Sequence, residues 1–330
     1  MDELQNKETG MTVDPFLESL DSIKVSQIKK TETEKSRSGV LSFIIRSFIV
    51  LLCVCVFIYS MTLLVKRIGD YSRSDDLYDL LADIWYKSDS SGPNPFGKVE
   101  YAIRDYSNAA ATLDYNTAQT AEEDDSASSV VEKHDSELLI YIKSKMNALK
   151  KQNSDVIGWI TIDNTNIDYP IAYSGDNEYY INHSFDGTYS IAGTIFMDYR
   201  DNPNFDDNYN TVIYGHNLMT GKMFSELDKF FTKSFFNDNR YIYIYNDNGM
   251  YVYETFCVTK INIAINYTRV FFSNPNEFVE FAYSMKKRSV FKTETDFNSK
   301  DKVITLSTCT NAHNKAERYC IMAKLVEIRR

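Results

Sequence analysis

One long apolar run near the start of the chain limits what this sequence can fold into. Residues 47–65 carry no charge and are mostly aliphatic or aromatic. As a helix they would extend roughly 28 Å, about the hydrocarbon thickness of a bilayer. The run is too long and too far from the N-terminus for a cleaved signal peptide, and no small-residue cleavage site follows it. We therefore expect a permanent single-pass anchor, with a lipid bilayer as one partner.

Charges on either side of this run predict how it lies in the membrane. The basic residues before it are Lys29, Lys30, Lys35, Arg37 and Arg46. Basic residues also follow it, but several aspartates soon offset them. Because cytoplasmic flanks of membrane spans are enriched in Lys and Arg, we expect a cytosolic N-terminus and an extracellular C-terminal region. The expected location is the cell membrane.

Composition predicts four regions along the chain. They are a cytosolic tail (1–46, flexible over residues 1–38), the anchor (47–65), an extracellular spacer (66–134) and a folded domain (135–330). The spacer begins with a short amphipathic helix that carries Leu77, Leu81 and Trp85 at helical spacing. It continues as a linker rich in Ala, Thr, Ser and acidic residues from 108 to 129.

Net charge and cysteine usage exclude several classes of protein. The chain has 46 acidic and 36 basic residues, a net charge of −10 that does not favour nucleic-acid binding. Cys257, Cys309 and Cys320 fall outside the anchor, and this odd number does not suggest a disulfide framework. A disulfide from Cys320 to Cys309 or Cys257 is the rival interpretation. No paired cysteine or histidine spacing favours a metal site, and we expect no cofactor.

The folded domain is predicted to be mainly β. A helix begins near Asp135 or Ser136, and alternating segments that predict short strands follow it. A later helix begins at Asn274-Pro275, before a strand over residues 303–308. Many short strands with a few helices favour a closed or nearly closed β-barrel.

A cysteine at the end of a strand is the strongest candidate for chemistry. It ends the run Thr-Leu-Ser-Thr-Cys over residues 305–309. In a strand, Ile304 and Leu306 face one side while Ser307 and Cys309 face the other. We expect the first pair to be core, and Cys309 to lie at the strand end on the more polar face, where a substrate can reach it.

Cys309, His216 and Arg318 together supply the groups that acyl transfer by a thiol needs. A thiolate attacks a carbonyl, an imidazole moves the proton, and a guanidinium holds the developing negative charge. His313, four residues after Cys309, competes with His216 for the proton-carrying role, whereas His134 and His183 are not expected to take part. The residue that orients the imidazole stays open among Asn217, Asn311 and Asp198.

Several sequence blocks occur in a set order along residues 135–330. They read NTNIDYP at 164–170, GTIFMD at 193–198, TVIYGHNLMTGKMF at 211–224, TLSTC at 305–309 and ERY at 317–319. Together they resemble the sortase family of cysteine transpeptidases, and class B in particular. The resemblance implies an eight-stranded β-barrel with N-terminal helices and a helix before the cysteine strand. It also implies the catalytic set His216, Cys309 and Arg318, and decides for His216 over His313.

The resemblance further implies the reaction and the partners. Cys309 would cleave a C-terminal sorting signal of the Asn-Pro-x-Thr-Asn type, or a related one, after its threonine. The resulting thioester would pass the surface protein to an amine of a peptidoglycan precursor or cross-bridge. Three alternatives stay open: a pilin polymerase that uses a pilin lysine as acceptor, an inactive sortase-like binding module, and a cysteine protease that ends in hydrolysis.

Class B sortases resemble one another in using one segment as a wall of the substrate groove. In this chain it lies between the strand that ends near Ile263 and the strand that starts near Val303. The resemblance therefore points to Tyr267 and Thr268 as substrate-binding residues. Ser307, two residues before Cys309 on the same strand face, is expected on the groove floor.

Overall fold

The computed structural model describes residues 15–87, 125–309 and 316–330. Most of the predicted linker (108–129) and the loop that carries Asn311 and His313 lie outside the described residues. Contacts within the chain divide it into two units, Met1–Ile68 and Gly69–Arg330.

Eight strands of the described chain close into a barrel, which confirms the predicted fold class. The strands are β1 (Val156–Ile162), β2 (Asp168–Ala172), β3 (Phe196–Met197), β4 (Asn210–Gly215), β5 (Tyr241–Asn246), β6 (Gly249–Asn262), β7 (Val303–Cys309) and β8 (Glu317–Arg329). Around the barrel their order is β1-β2-β3-β4-β7-β8-β6-β5. The β2–β3 and β4–β7 pairs are parallel and the other pairs are antiparallel.

The α-helices among the described residues are α1 (Pro15–Tyr86), α2 (Asp125–Lys150), α3 (Lys233–Asp238) and α4 (Pro275–Lys286). Two predicted boundaries are wrong. The tail was expected to be flexible to residue 38 but is helical from Pro15 onwards, and α2 begins at Asp125, before the predicted Asp135. Both differences arise because polar segments can form helices without an apolar stripe.

The apolar run lies within α1. The stretch Gly39–Tyr86 of this helix is long and apolar enough to cross a membrane, and its most apolar window is not buried inside the protein. The helix needs no partner to satisfy its backbone hydrogen bonds in hydrocarbon, because those bonds are internal to it.

The last turns of α1 pack against the barrel. Tyr78, Leu81 and Trp85, which the sequence places in the spacer, are buried. The indole of Trp85 stacks on that of Trp159 in β1, with ring centroids 4.9 Å apart and an interplanar angle of 3°. Burial of large aromatic side chains such as these contributes on the order of 2 kcal/mol each, so these turns belong to the folded unit.

The cysteine strand β7 is buried on both faces. Ile304 and Leu306 join the barrel interior, as predicted, while Val303 joins a second cluster beneath α4. Ser307 on the opposite face is only 2% exposed. Along most of the strand, α4 and the segment before it cover that face.

Helix α4 begins where the sequence predicts. The side chain of Asn274 accepts hydrogen bonds from the backbone N–H groups of Asn276 and Glu277, and Pro275 occupies the first turn. Such a cap stabilises a helix by about 1 kcal/mol. The apolar face of α4 carries Phe278 and Met285 into the second cluster, and this fixes the helix on the outside of the cysteine strand.

Candidate active site

Three neighbouring strands bring the predicted catalytic residues to one end of the barrel. In the parallel β4–β7 pair, Gly215 lies opposite Thr308, so His216 and Cys309 each follow directly in the chain. In the antiparallel β7–β8 pair, Cys309 lies opposite Arg318. This register places the three residues side by side although a long stretch of sequence separates His216 from the other two.

A pocket of about 290 Å³ opens at this end of the barrel. Its lining residues are Asn177, Ile181, Phe196, Tyr214, Gly215, His216, Tyr267, Ser307, Thr308 and Arg318. Four residues predicted from the sequence, His216, Tyr267, Ser307 and Arg318, therefore share one cavity. Thr268 is not among the lining residues.

A backbone carbonyl orients the imidazole of His216. The ring Nε2 lies 2.6 Å from the carbonyl oxygen of Ile181. A carbonyl can only accept, so Nε2 carries the proton of the neutral ring, and Nδ1 is left to exchange a proton with reacting groups. The sequence reasoning missed Ile181, because its contribution comes from the backbone and not from its side chain.

One of the candidates proposed to orient His216, Asp198, is occupied elsewhere. The carboxylate of Asp198 accepts hydrogen bonds from Arg200 and from the hydroxyl of Tyr214. The backbone of Asn217 forms a bridge with Met223, and the role of its side chain stays a prediction. The third candidate, Asn311, lies outside the described residues.

His183 packs against a neighbouring ring, as expected. Its imidazole stacks on Tyr179 with centroids 4.2 Å apart, and its Nδ1 lies 2.7 Å from the Tyr179 carbonyl oxygen. His183 does not line the pocket.

Arg318 lies half-buried at the start of β8, with its side chain at the pocket. Its Nη1 donates to the carbonyl of Glu317 over 2.8 Å. Guanidinium groups stay protonated at any working pH and offer several donors in a plane. Arg318 can therefore present a permanent positive charge to an oxygen bound in the pocket.

Tyr267 and Ser307 meet at the base of the pocket. Their hydroxyl oxygens lie 2.9 Å apart, and both residues are buried. The contact joins the segment before α4 to the cysteine strand, two residues before Cys309. Tyr267 thus forms a fixed wall of the cavity.

The backbone next to Tyr267 is held by two polar side chains, one half-buried and one fully buried. Arg200 donates to the carbonyl of Thr268 over 3.0 Å, and the amide of Asn210 donates to the carbonyl of Arg269 over 2.9 Å. Thr305 on β7 donates in turn to the Asn210 side-chain oxygen over 2.7 Å. Thr268 therefore contributes to the site through its carbonyl, which anchors the segment.

Two other cysteines sit in the second cluster and are suited to packing. Cys257 and Cys320 are both fully buried free thiols, so the rival disulfide is not formed between them. Burial raises the pKa of Cys257 to about 12 and that of Cys320 well above its usual value. Both thiols stay protonated near neutral pH and are poor nucleophiles.

Among the described residues, no group of three His, Cys, Asp or Glu side chains could hold a metal ion. The polar chemistry available in the described part of the pocket is that of an imidazole, a guanidinium, a carboxamide, hydroxyl groups and the backbone.

Comparison with known proteins matches this architecture. A family model described as the sortase domain matches residues 160–326, from β1 to the end of β8. The chain belongs to the sortase family. Sortase B of Listeria monocytogenes is 36% identical over 186 residues, which cover 56% of this chain and 75% of that protein. Sortase B of Staphylococcus aureus is 31% identical over 189 residues, covering 57% and 77%.

Solved structures of class B sortases share the barrel. Clostridium perfringens sortase B superposes with a TM-score of 0.52 at 33% identity, covering 55% of this chain and 99% of that one. A complex of Staphylococcus aureus sortase B with substrate gives a TM-score of 0.53 at 28% identity, covering 61% and 97%. The chain is a sortase-family transpeptidase of class B.

Proposed function

We propose that this sortase is a membrane-anchored enzyme that cuts a C-terminal sorting signal after threonine and joins the surface protein to a cell-wall amine. The observation that carries the proposal is the strand register, which brings His216, Cys309 and Arg318 to neighbouring backbone positions at one end of the barrel. His216 and Arg318 line the pocket there. A thiol, a proton carrier and a permanent cation are the groups that acyl transfer through a thioester requires.

In the first half-reaction, the Cys309 thiolate attacks the threonine carbonyl carbon and a carbon–sulfur bond forms. The carbonyl oxygen takes the negative charge, which Arg318 stabilises by charge-assisted hydrogen bonds. The carbon–nitrogen bond then breaks, and protonated His216 gives its proton to the departing amine. The products are a thioester on Cys309 and the released end of the sorting signal.

In the second half-reaction, an amine of a peptidoglycan precursor or cross-bridge attacks the thioester. A new carbon–nitrogen bond forms, the carbon–sulfur bond breaks, and the thiolate of Cys309 leaves. His216 takes the proton that the attacking amine loses, which restores both groups to their starting state.

The substrate proposal is supported by the pocket and by one relative. Staphylococcus aureus sortase B, whose barrel this chain shares, is known in complex with substrate. In this chain Tyr267 and Ser307 line the pocket beside the end of β7. We assign them to contact with the signal around the scissile threonine, and assign the segment that contains Thr268 to selection among related signals.

The anchoring proposal rests on α1. Its apolar run, with basic residues before it, favours a cytosolic N-terminus and an extracellular barrel. An extracellular barrel would meet both exported surface proteins and the amines of the cell wall.

The test uses the full chain in membranes or detergent, a peptide with an Asn-Pro-x-Thr-Asn signal, and an amine acceptor. We expect cleavage after threonine, a thioester on Cys309 detectable by mass spectrometry, and transfer to the amine in preference to water. Cys309→Ala should abolish all three, whereas Cys257→Ala and Cys320→Ala should keep them.

The outcomes also separate the alternatives. Hydrolysis that continues unchanged when an amine acceptor is present would indicate a protease. Transfer only to a pilin lysine would indicate a pilin polymerase. Peptide binding without cleavage would indicate a binding module. Substantial turnover by Cys309→Ala would overturn the assignment of the nucleophile.

A further inference from the structure

The imidazole of His216 lies against the turn that precedes β3 (residues 181–193). Besides the Ile181 carbonyl on its Nε2, the ring packs against Gly193. Gly193 adopts a φ of 61°, and a Cβ atom there would lie 2.7 Å from the Ile181 oxygen and 3.0 Å from Cδ2 of His216. The orientation of the ring therefore depends on where the backbone of residues 181–193 lies.

A tyrosine from α1 holds this turn in place. The hydroxyl of Tyr78 lies 3.0 Å from the carbonyl oxygen of Gly193 and 3.2 Å from Oγ1 of Thr194. Thr194 in turn donates from its hydroxyl to the His183 carbonyl over 2.9 Å and from its backbone N–H to the Tyr180 carbonyl over 3.0 Å. One buried hydroxyl thus connects α1 to both sides of the turn that surrounds His216.

Tyr78 is suited to this role. It is 8% exposed, and its ring packs edge-on against Tyr169 with centroids 5.2 Å apart. Burial raises the pKa of Tyr78 well above its usual value, so the hydroxyl stays a neutral donor at any working pH. Loss of the Tyr78 hydroxyl would leave the Gly193 carbonyl without this hydrogen-bond donor, and the turn would shift to regain a partner.

Two ion pairs join the same helix to one segment before His216 in the sequence and to one segment after it. Arg73 lies 3.7 Å from Asp186, and Asp75 lies 3.6 Å from Lys222. Both pairs are substantially exposed, so each contributes little to stability. They bring α1 alongside the segments before and after His216, where Tyr78 makes a buried contact.

We propose that Tyr78, in the last turns of the helix that carries the apolar run, is a positioning residue for the proton carrier His216. It acts through Gly193 and the Ile181 carbonyl and touches no reacting atom. The inference rests on the proposed role of His216. Its consequence is that α1 is part of the catalytic scaffold as well as the anchor.

The test compares Tyr78→Phe with Tyr86→Phe in the full chain. Tyr86 lies on the same helix, and its hydroxyl donates over 2.9 Å to the carboxylate of Asp168, away from the histidine turn. Each change removes one hydroxyl and keeps the ring. Since small misplacements of catalytic groups can cost up to about 10²-fold in rate, Tyr78→Phe should lower kcat roughly 10- to 100-fold with KM within about twofold. Tyr86→Phe should leave kcat within about twofold.

A second variant and a double mutant make the result decisive. Thr194→Val removes the hydroxyl at the other end of the contact and should lower kcat in the same direction. In a His216→Ala background, Tyr78→Phe should have no further effect, because the two residues act as one unit. Wild-type kcat in both Tyr78→Phe and Thr194→Val, beside an inactive His216→Ala, would overturn the inference and leave the proposed function intact. Near wild-type activity of His216→Ala would instead overturn the role of the histidine itself.

Discussion

The guanidinium of Arg200 holds the fully buried carboxylate of Asp198 through two parallel hydrogen bonds, Nε to Oδ1 at 2.8 Å and Nη2 to Oδ2 at 2.6 Å. The Tyr214 hydroxyl donates to the same carboxylate over 2.7 Å, and Arg200 also donates to the carbonyl of Thr268. Burial works against the charge of Asp198, but the bonds from Arg200 outweigh it and hold its pKa below the usual value. This ion pair therefore connects a pocket wall at Tyr214 with the segment that carries Tyr267.

Breaking this pair should destabilise the protein strongly. Arg200→Met would leave a buried, unpaired carboxylate, and we expect a loss of roughly 3 kcal/mol in the free energy of unfolding. The matched control is Arg240→Met, since Arg240 pairs with Glu254 over 2.9 Å with both side chains partly exposed. That change should cost less than about 1 kcal/mol. Urea unfolding measures both, and equal losses would contradict the special role of Arg200.

Asp201 should make the protein more stable as the pH falls from 8 to 5. Its side chain is buried, one oxygen accepts from the N–H of Val212, and burial raises its pKa to about 7. Between about pH 7 and pH 4 the folded state then binds a proton that the unfolded state releases, so acidification favours folding. Asp198 has the opposite effect, because its pKa is lowered. Its ionised form stabilises the folded state, and this stabilisation is lost only at lower pH.

Asp201→Asn, which cannot titrate, isolates the effect. Between pH 8 and pH 5, the wild type should gain about 2–3 kcal/mol in unfolding free energy relative to the variant. Unfolding by urea at the two pH values measures this difference. A constant difference between wild type and variant would mean that Asp201 does not titrate in this range.

His216, and not His313, should carry the proton. Loss of a general acid–base group typically lowers the rate by ~10²–10⁴-fold, so His216→Ala should fall in or below that range. His313→Ala should stay near the wild type. Steady-state cleavage of a sorting-signal peptide measures both rates, and the reverse ranking would move the proton transfer to the loop after Cys309.

Arg318 should act on the chemical step. Arg318→Ala should lower kcat by roughly 10²–10³-fold, the usual effect of losing one strong donor to an oxyanion, with unfolding stability unchanged. Arg318→Lys should rescue only in part, because an ammonium cannot reproduce the planar fork. The measurement is the rate of single-turnover thioester formation. If Arg318→Ala leaves this rate near that of the wild type, the arginine is an ordinary surface charge.

Signal preference should follow the segment that contains Tyr267 and Thr268. Replacing residues 263–302 with the matching segment of a differently selective class B sortase should move the preference among signal peptides. Tyr267→Phe, which removes the hydroxyl contact with Ser307, should change that preference more than it changes the melting temperature. A chimaera that folds, turns over and keeps the original preference would place specificity elsewhere on the barrel.

Local patterns were enough to predict several elements. The alternation before Cys309 predicted β7, and Asn274-Pro275 predicted the start of α4, because both signals depend on neighbouring residues. The same patterns gave no information on which element covers the face that carries Ser307. That face is covered by α4 and the segment before it, and which element covers a strand depends on contacts between distant parts of the chain.

Residue type and spacing were sufficient to nominate the membrane run and a thiol, an imidazole and a guanidinium as the reacting groups, because that chemistry belongs to the residue types themselves. The resemblance to sortases then decided for His216 over His313. The atoms that hold those groups in place were decided by closure of the barrel. The Ile181 carbonyl on His216 and the Tyr78 hydroxyl on Gly193 join positions far apart in the chain. Every residue carries a backbone carbonyl, so none is marked in the sequence, and only the folded geometry selects the one that meets the imidazole.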